Sequence, residues 1–383
     1  MPISKLGLQF EDARQLWQEK MTEPSTHTAT FSESTKLDLI RSLAVLLVVL
    51  SHLPITKQIS DFIFGENIIN IQPMGLVGVG IFFVHTCYVL MLSLNRQTSQ
   101  LGTASTAIVF FTRRIFRIYP LSIATVLALA LILHLPEGAK IDYLQIISNL
   151  LLVQNLTGHP SVPGALWSLP YEVQMYLFLP GLFILVSRFP RIAPVLIASV
   201  WLMCIAAVLV LYVAGLNYHL VKYFPAFIPG VLAYSLTTRS ETNAKLPAFI
   251  PSLYIVLAAA TFPFLVAYGI RENILLWPTC LLLGLLIPYS KEIESGRAKI
   301  VAATVAKYSY GIYLVHGPLV ELSFGYLRDF PAILQWTAFI FGTASISYLA
   351  FHLIESPGIQ LGKRLISSAQ NSETLATGSV KVD

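Results

Sequence analysis

Apolar runs of near-spanning length follow one another along the chain, separated by short polar breaks. A bilayer crossing needs roughly 20 mostly apolar residues as a helix. On that basis the pattern predicts spans over residues 37–55, 73–95, 119–135, 168–187, 192–214, 222–236, 249–268, 273–289, 308–326 and 332–354. The run Leu144–Leu156 is short and interrupted by Asn149 and Gln154, so a re-entrant or interfacial helix is expected there. The fold class that follows is all-α: a polytopic membrane helix bundle of about ten transmembrane helices plus that one short helix.

Composition agrees with this pattern. Of 383 residues, 55% are hydrophobic and 12% charged, against the roughly 25% charged of a soluble domain. The net charge of +5 reports topology here and gives no reason to expect nucleic acid. With ten crossings and the N-terminus inside, 20 of the 25 Lys and Arg fall on the inner side, and only Lys57, Lys140, Lys222, Arg271 and Arg328 fall outside. Cytoplasmic loops should hold that excess. Counting Leu144–Leu156 as a crossing would invert every later loop and destroy the bias, so both termini are expected in the cytoplasm.

The expected organisation is a polar cytoplasmic tail over 1–36, with a short helix over Phe10–Lys20, a membrane domain over 37–357, and a disordered cytoplasmic tail over 358–383. The N-terminal stretch is polar and mixed in charge, unlike a cleavable signal peptide, so the first span is expected to act as an uncleaved anchor. Cys87, Cys204 and Cys280 lie within apolar runs and show no zinc spacing, so neither disulfide nor metal is expected.

Ionisable residues inside spans are costly and usually face a bundle interior or a water-filled path. In the first span Arg41 and His52 stand eleven positions apart, which places them on one helical stripe about 16.5 Å apart. Asp38, one turn before Arg41, can pair with it. The alternative has Arg41 snorkelling to the inner headgroups and His52 at the outer interface. Glu172 follows Ser168 and Pro170, which suit an N-cap and a first turn, so its carboxylate meets the positive end of a helix dipole. Either that dipole and an interfacial Trp167 account for it, or it meets a partner near Tyr171 and Tyr176, with His52 available. Arg113, Arg114 and Arg117 precede a span. They satisfy the positive-inside rule, or they form a phosphate clamp in which Arg114 and Arg117, one turn apart, grip one group. His316 lies deep in a span beside Gly317 and Pro318; His85 reads as a packing element, and Glu321 as cavity-lining or interfacial.

These segments resemble the acyltransferase family 3 proteins. Leu37-Asp38-Leu39-Ile40-Arg41 through Ser51-His52 is similar to the family's opening motif, and Arg114-Ile115-Phe116-Arg117-Ile118-Tyr119-Pro120 to its paired-arginine motif. Trp167-Ser168-Leu169 through Glu172 and Tyr176 to Pro180 is similar to its Trp-Ser-Leu and Glu motif, with Met175 where Phe is usual. Ser309 to Pro318 and Glu355-Ser356-Pro357 resemble its late motifs. One departure stands out: His85-Thr86-Cys87 replaces the usual Ser-Gly pair, which opens the question of how closely that helix approaches its neighbours. The resemblance implies a form without the esterase-like domain that some members carry after the last span.

It further implies a bacterial inner-membrane O-acyltransferase that moves an acyl group, commonly acetyl, from cytoplasmic acyl-CoA to a hydroxyl of an extracytoplasmic glycan. In that scheme Arg41, Arg113, Arg114 and Arg117 hold the donor, and His52 is the general base, oriented by Glu172. Asp38, Trp167, Tyr176 and His316 help bind substrate, and His85 affects acceptor choice. A covalent acyl-histidine is the variant mechanism. Two readings from other classes are a transporter or flippase for a lipid-linked glycan, for which no internal repeat is visible, and a non-catalytic partner of a polysaccharide machine. Loops 56–72, 136–166, 215–221 and 327–331 would carry acceptor specificity, and no motif in them names a sugar.

Overall fold

Each apolar run becomes a helix, and prolines set several of the breaks. The computed structural model describes residues 34–65, 69–101, 103–133, 142–239, 246–293 and 296–378. The N-terminal tail to residue 33, with the helix expected over Phe10–Lys20, lies outside the described residues. Helix α1 (Thr35–His52) stops where Leu53 turns extended ahead of Pro54, and α2 (Pro54–Phe64) leaves at 75°. A proline drives the residue before it out of the helical region, so the expected span 37–55 ends at His52.

The remaining helices are α3 (Met74–Leu101), α4 (Thr103–Leu133), α5 (Tyr143–Leu150), α6 (Gln154–Thr157), α7 (Leu169–Arg188), α8 (Ala193–Val213) and α9 (Phe224–Arg239). They are followed by α10 (Ile250–Ala267), α11 (Glu272–Leu286), α12 (Arg297–Val320), α13 (Ala332–Ala350) and α14 (Ser356–Gly378). Every predicted span contains a helix. Among the described residues seven helices are long and apolar enough to cross a membrane, and the bent pair α1–α2 makes an eighth. The sequence expectation of about ten also counted Phe224–Arg239, which is short, and the more polar Arg297–Val320. The chain is thus an all-α polytopic membrane bundle. Helices α5 and α6, with 8 and 4 residues, are too short to cross.

Helix α3 forms the centre: 72% of its apolar window is buried, against 11% for the lipid-facing α8. Close approach comes from glycines at other positions than the lost Ser-Gly pair. A Cβ on Gly78 would stand 2.6 Å from the Ala44 carbonyl oxygen of α1, and one on Gly230 2.2 Å from that of Val84. Helix α1 lies along α12, with Arg41 beside Ser309, His52 beside His316 and Leu53 in one cluster with Leu319. The two helices therefore run parallel. Counting α1, α3, α4 and α7 to α11 as crossings gives the even number that a parallel pair requires, and an added crossing at 144–156 would reverse α12.

Two expectations are corrected. Arg113, Arg114 and Arg117 do not precede a span; they lie inside α4, which starts at Thr103. The run ahead of them is too short to register as a span, and the helix continues because two of the arginines face the bundle interior. The tail expected to be disordered from residue 358 is helical to Gly378. Its glycines allow α14 to close on α4: Cβ atoms on Gly358 and Gly362 would each fall 2.8 Å from Phe116.

Candidate functional site

A chamber of about 780 Å³, counting its open mouth, lies between α1, α3, α4, α7 and α12. Arg41, Arg114 and Arg117 line it together with His85, Glu172, Tyr176, Ser309, Tyr310 and Tyr313. Local structure explains the convergence. Arg41 donates from Nε to Ser309 Oγ at 2.6 Å, which anchors α1 to α12, and Tyr310 donates to the Ile118 carbonyl of α4 at 2.8 Å. Arg114 and Arg117, three positions apart on α4, present neighbouring guanidiniums, and the buried Nε of Arg114 has no hydrogen-bond partner among the described residues. Arg113 points elsewhere: it is exposed and near Arg96.

Two carboxylates temper this positive field. Glu172 accepts from the Tyr176 hydroxyl at 2.5 Å, and Glu355 is 2% exposed. Arg41 is within electrostatic reach of Arg117, Glu355, Glu172 and Asp38. Among the described residues, neither Glu172 nor Glu355 comes within the 4 Å of an ion pair with a chamber arginine. Glu355 Oε2 is buried without a hydrogen bond among the described residues. A π-helical turn, Phe351–Glu355, delivers that carboxylate from the end of α13; such turns recur at functional sites. Glu355 escaped sequence reasoning as a site residue, although its motif was visible, because it falls just past the last predicted span.

His85, 7% exposed, lines the same chamber and hydrogen-bonds the Leu37 backbone. Trp167 does not line it; its ring packs 5.1 Å from Tyr223 and 6.3 Å from Tyr171. Ser168 gives no helix cap, because its hydroxyl meets Tyr313 Oη at 2.7 Å. Tyr313 in turn donates to the Ala165 carbonyl at 2.9 Å.

His52 is absent from the chamber lining, and the expected His52–Glu172 partnership is not formed. The 3-10 turn Gly164–Ser168 carries the start of α7 inward to Tyr313, one turn short of His316, so Glu172 opens among the arginines and not beside the end of α1. The neighbour of His52 is His316, with ring centroids 5.0 Å apart at 70°. His52 Nδ1 lies 2.8 Å from the Val48 carbonyl, and His316 Nδ1 lies 2.7 Å from that of Tyr313. Carbonyl oxygens only accept, so each Nδ1 carries a proton, and in the neutral tautomer of either ring Nε2 keeps its lone pair. His52 is exposed; His316 is fully buried and its Nε2 has no partner among the described residues. The Tyr313 ring, 5.8 Å from both His316 and Phe82, stands between chamber and histidines.

A fork of guanidiniums recognises phosphate oxygens bidentately, and an imidazole with a free Nε2 can take a proton from a hydroxyl. Among the described residues no cluster of three or more His, Cys, Asp or Glu could hold a metal ion.

Known proteins fit this chemistry. Residues 34–352 match the acyltransferase 3 family, described as an acyltransferase domain. Among characterised proteins, "Acyltransferase MdmB" from Streptomyces mycarofaciens is 29% identical over 161 residues, which cover 39% of this chain and 39% of that protein. No solved structure matches significantly. The extent of the family match, from the start of α1 to the π-turn after α13, encloses both chamber and histidine pair, and on that ground the chain belongs to the acyltransferase 3 family.

Proposed function

We propose that this acyltransferase moves an acetyl group from acetyl-CoA, bound from the cytoplasm, to a hydroxyl of an extracytoplasmic glycan at a bacterial inner membrane. The observation that carries the reading is the convergence of Arg41, Arg114 and Arg117 on one chamber, with Glu172 and Glu355 held beyond ion-pair distance. Three guanidiniums gathered at this depth in a bundle are costly unless an anion joins them, and the phosphates of coenzyme A supply one. Asp38 and Tyr176 set arginine geometry, Asp38 within reach of Arg41 and Tyr176 beside Arg114. The charge bias between loops supports cytoplasmic termini and a donor site facing inward.

His52, about 16.5 Å further along α1, takes the acceptor proton. As His52 Nε2 accepts the hydroxyl proton, the oxygen attacks the thioester carbonyl and the carbon–sulfur bond breaks. The proton on Nε2 then passes to the thiolate, which leaves free CoA and an ester. The scheme requires the pantetheine arm to pass Tyr313 to meet His52, and it puts Trp167, whose ring packs on Tyr223, on the acceptor side.

Purified protein incubated with labelled acetyl-CoA and a panel of glycans should release free CoA in proportion to acceptor. Glycan movement across proteoliposomes with no thioester consumed would replace this reading with a flippase.

A further inference from the structure

His316 is the one buried titratable group beside the proposed base that the reaction above does not use. Its Nδ1–H is committed to the Tyr313 carbonyl, and its Nε2 lone pair is buried with no donor among the described residues. A buried acceptor left unmet is costly, so such a group calls for an explanation. The adjacent ring is His52, whose proton is likewise committed, on Nδ1, to Val48. The two rings lie 5.0 Å apart, and in their neutral forms neither has an N–H free for the other.

Protonation of His52 alters this balance. The imidazolium has two N–H donors. Nδ1–H already has its acceptor in Val48, and the new Nε2–H needs one. We infer that His316 is a positioning residue that acts through His52: its Nε2 accepts the Nε2–H of the His52 imidazolium. It does so during the interval between proton abstraction from the acceptor hydroxyl and proton delivery to the departing thiolate. No proton is added or lost; the same one moves from hydroxyl oxygen to His52 Nε2 to sulfur, and His316 only lends its lone pair between. The contact exists in the charged state and not in the resting one, which is the condition for an interaction to speed the reaction and not merely tighten binding. Closing a pair of rings already 5.0 Å apart requires small rotations, and His52 sits at the end of α1 where the chain turns by 75°.

The inference rests on His52 being the base, and the experiment separates the two. His316→Phe keeps a ring in the cavity but removes the lone pair, and His316→Gln offers a carbonyl acceptor in its place. Each is compared with wild type and His52→Ala, in detergent, at matched membrane yield and melting temperature. Acetyl-CoA is the donor, and the nucleophile is either a methyl glycoside panel or hydroxylamine, which attacks thioesters without a general base. The expected result is a fall in kcat of about 10- to 100-fold for His316→Phe with glycosides, both KM values holding within about two-fold. Hydroxylamine turnover should be unchanged, and His316→Gln should restore part of the glycoside rate. Equal losses with both nucleophiles, or a loss confined to KM, overturn the inference and assign His316 to packing. Glycoside transfer that survives His52→Ala overturns the parent reading and the inference with it.

Discussion

The arginine chamber and the histidine pair share two helices, α1 and α12, yet they are built on opposite physical terms. The chamber draws on five helices and holds three cations and the carboxylate of Glu172, with Glu355 in electrostatic reach, and among the described residues buried polar atoms of Arg114 and Glu355 have no partners. The pair needs only one residue from each helix, and the backbone carbonyls of those same helices fix its tautomers. A site assembled from five elements can tune how it holds a large anion, since each element moves a little. One anchored to two parallel helices that serines tie together offers a proton acceptor at a fixed place. The serine contacts make the lock explicit: Ser42 donates to the Ala302 carbonyl at 2.8 Å while Arg41 reaches Ser309. On the proposed reading, binding and chemistry are thus separated along one helix.

The separation is tested most severely at His52. His52→Ala should lower acetyl transfer by about 10²- to 10⁴-fold, the range for removal of a general base. Binding of acetyl-CoA, followed by equilibrium titration of the purified protein, should be retained because His52 does not line the chamber. Loss of donor binding in that variant would merge the two sites.

The chamber should answer in the opposite manner. Arg114→Ala or Arg117→Ala should raise the KM for acetyl-CoA by about 10- to 100-fold, the weight of a charge-assisted hydrogen bond, with kcat changed little. Lysine at either place should restore the charge but not the bidentate fork, leaving most of the defect. The exposed Arg113 serves as a control and should leave the donor KM unchanged on substitution by Ala. Steady-state kinetics at several donor concentrations checks all of these.

Much of this arrangement is legible in the chain itself. Apolar run length locates the spans, because lipid exposure demands it, and the eleven-residue spacing puts Arg41 and His52 on one face; α2 and α14, which are not apolar runs of spanning length, escape it. Depth is what the sequence does not carry. Arg114 and Arg117 read as an inner-surface cluster because charges interrupt the hydropathy signal, whereas α4 runs on through them to line a cavity. Glu355 lies beyond the last apolar run, and only a π-helical turn brings it back inside. Glu172 reads as an outer-end carboxylate because a span is counted from its first residue; the 3-10 turn before α7 shows that this helix starts within the bundle.

That last displacement yields the smallest effect and the finest test of the comparison. Glu172 hydrogen-bonds Tyr176 and stands within electrostatic reach of Arg41 and Arg114, without a direct ion pair. A carboxylate orienting His52 would, on neutralisation to Gln, reduce kcat with the donor KM unmoved. A carboxylate that sets the field of the chamber should do the reverse. Glu172→Gln removes one negative charge beside three guanidiniums at a range where each coupling is worth up to about 1 kcal/mol. It also keeps an oxygen able to accept from Tyr176. The KM for acetyl-CoA should then shift by up to about five-fold, downward because an anionic donor meets less repulsion, while kcat holds. The shift should shrink as salt is raised, as an electrostatic origin requires. A salt-independent fall in kcat would instead return Glu172 to the side of His52 and erase the boundary between the two regions.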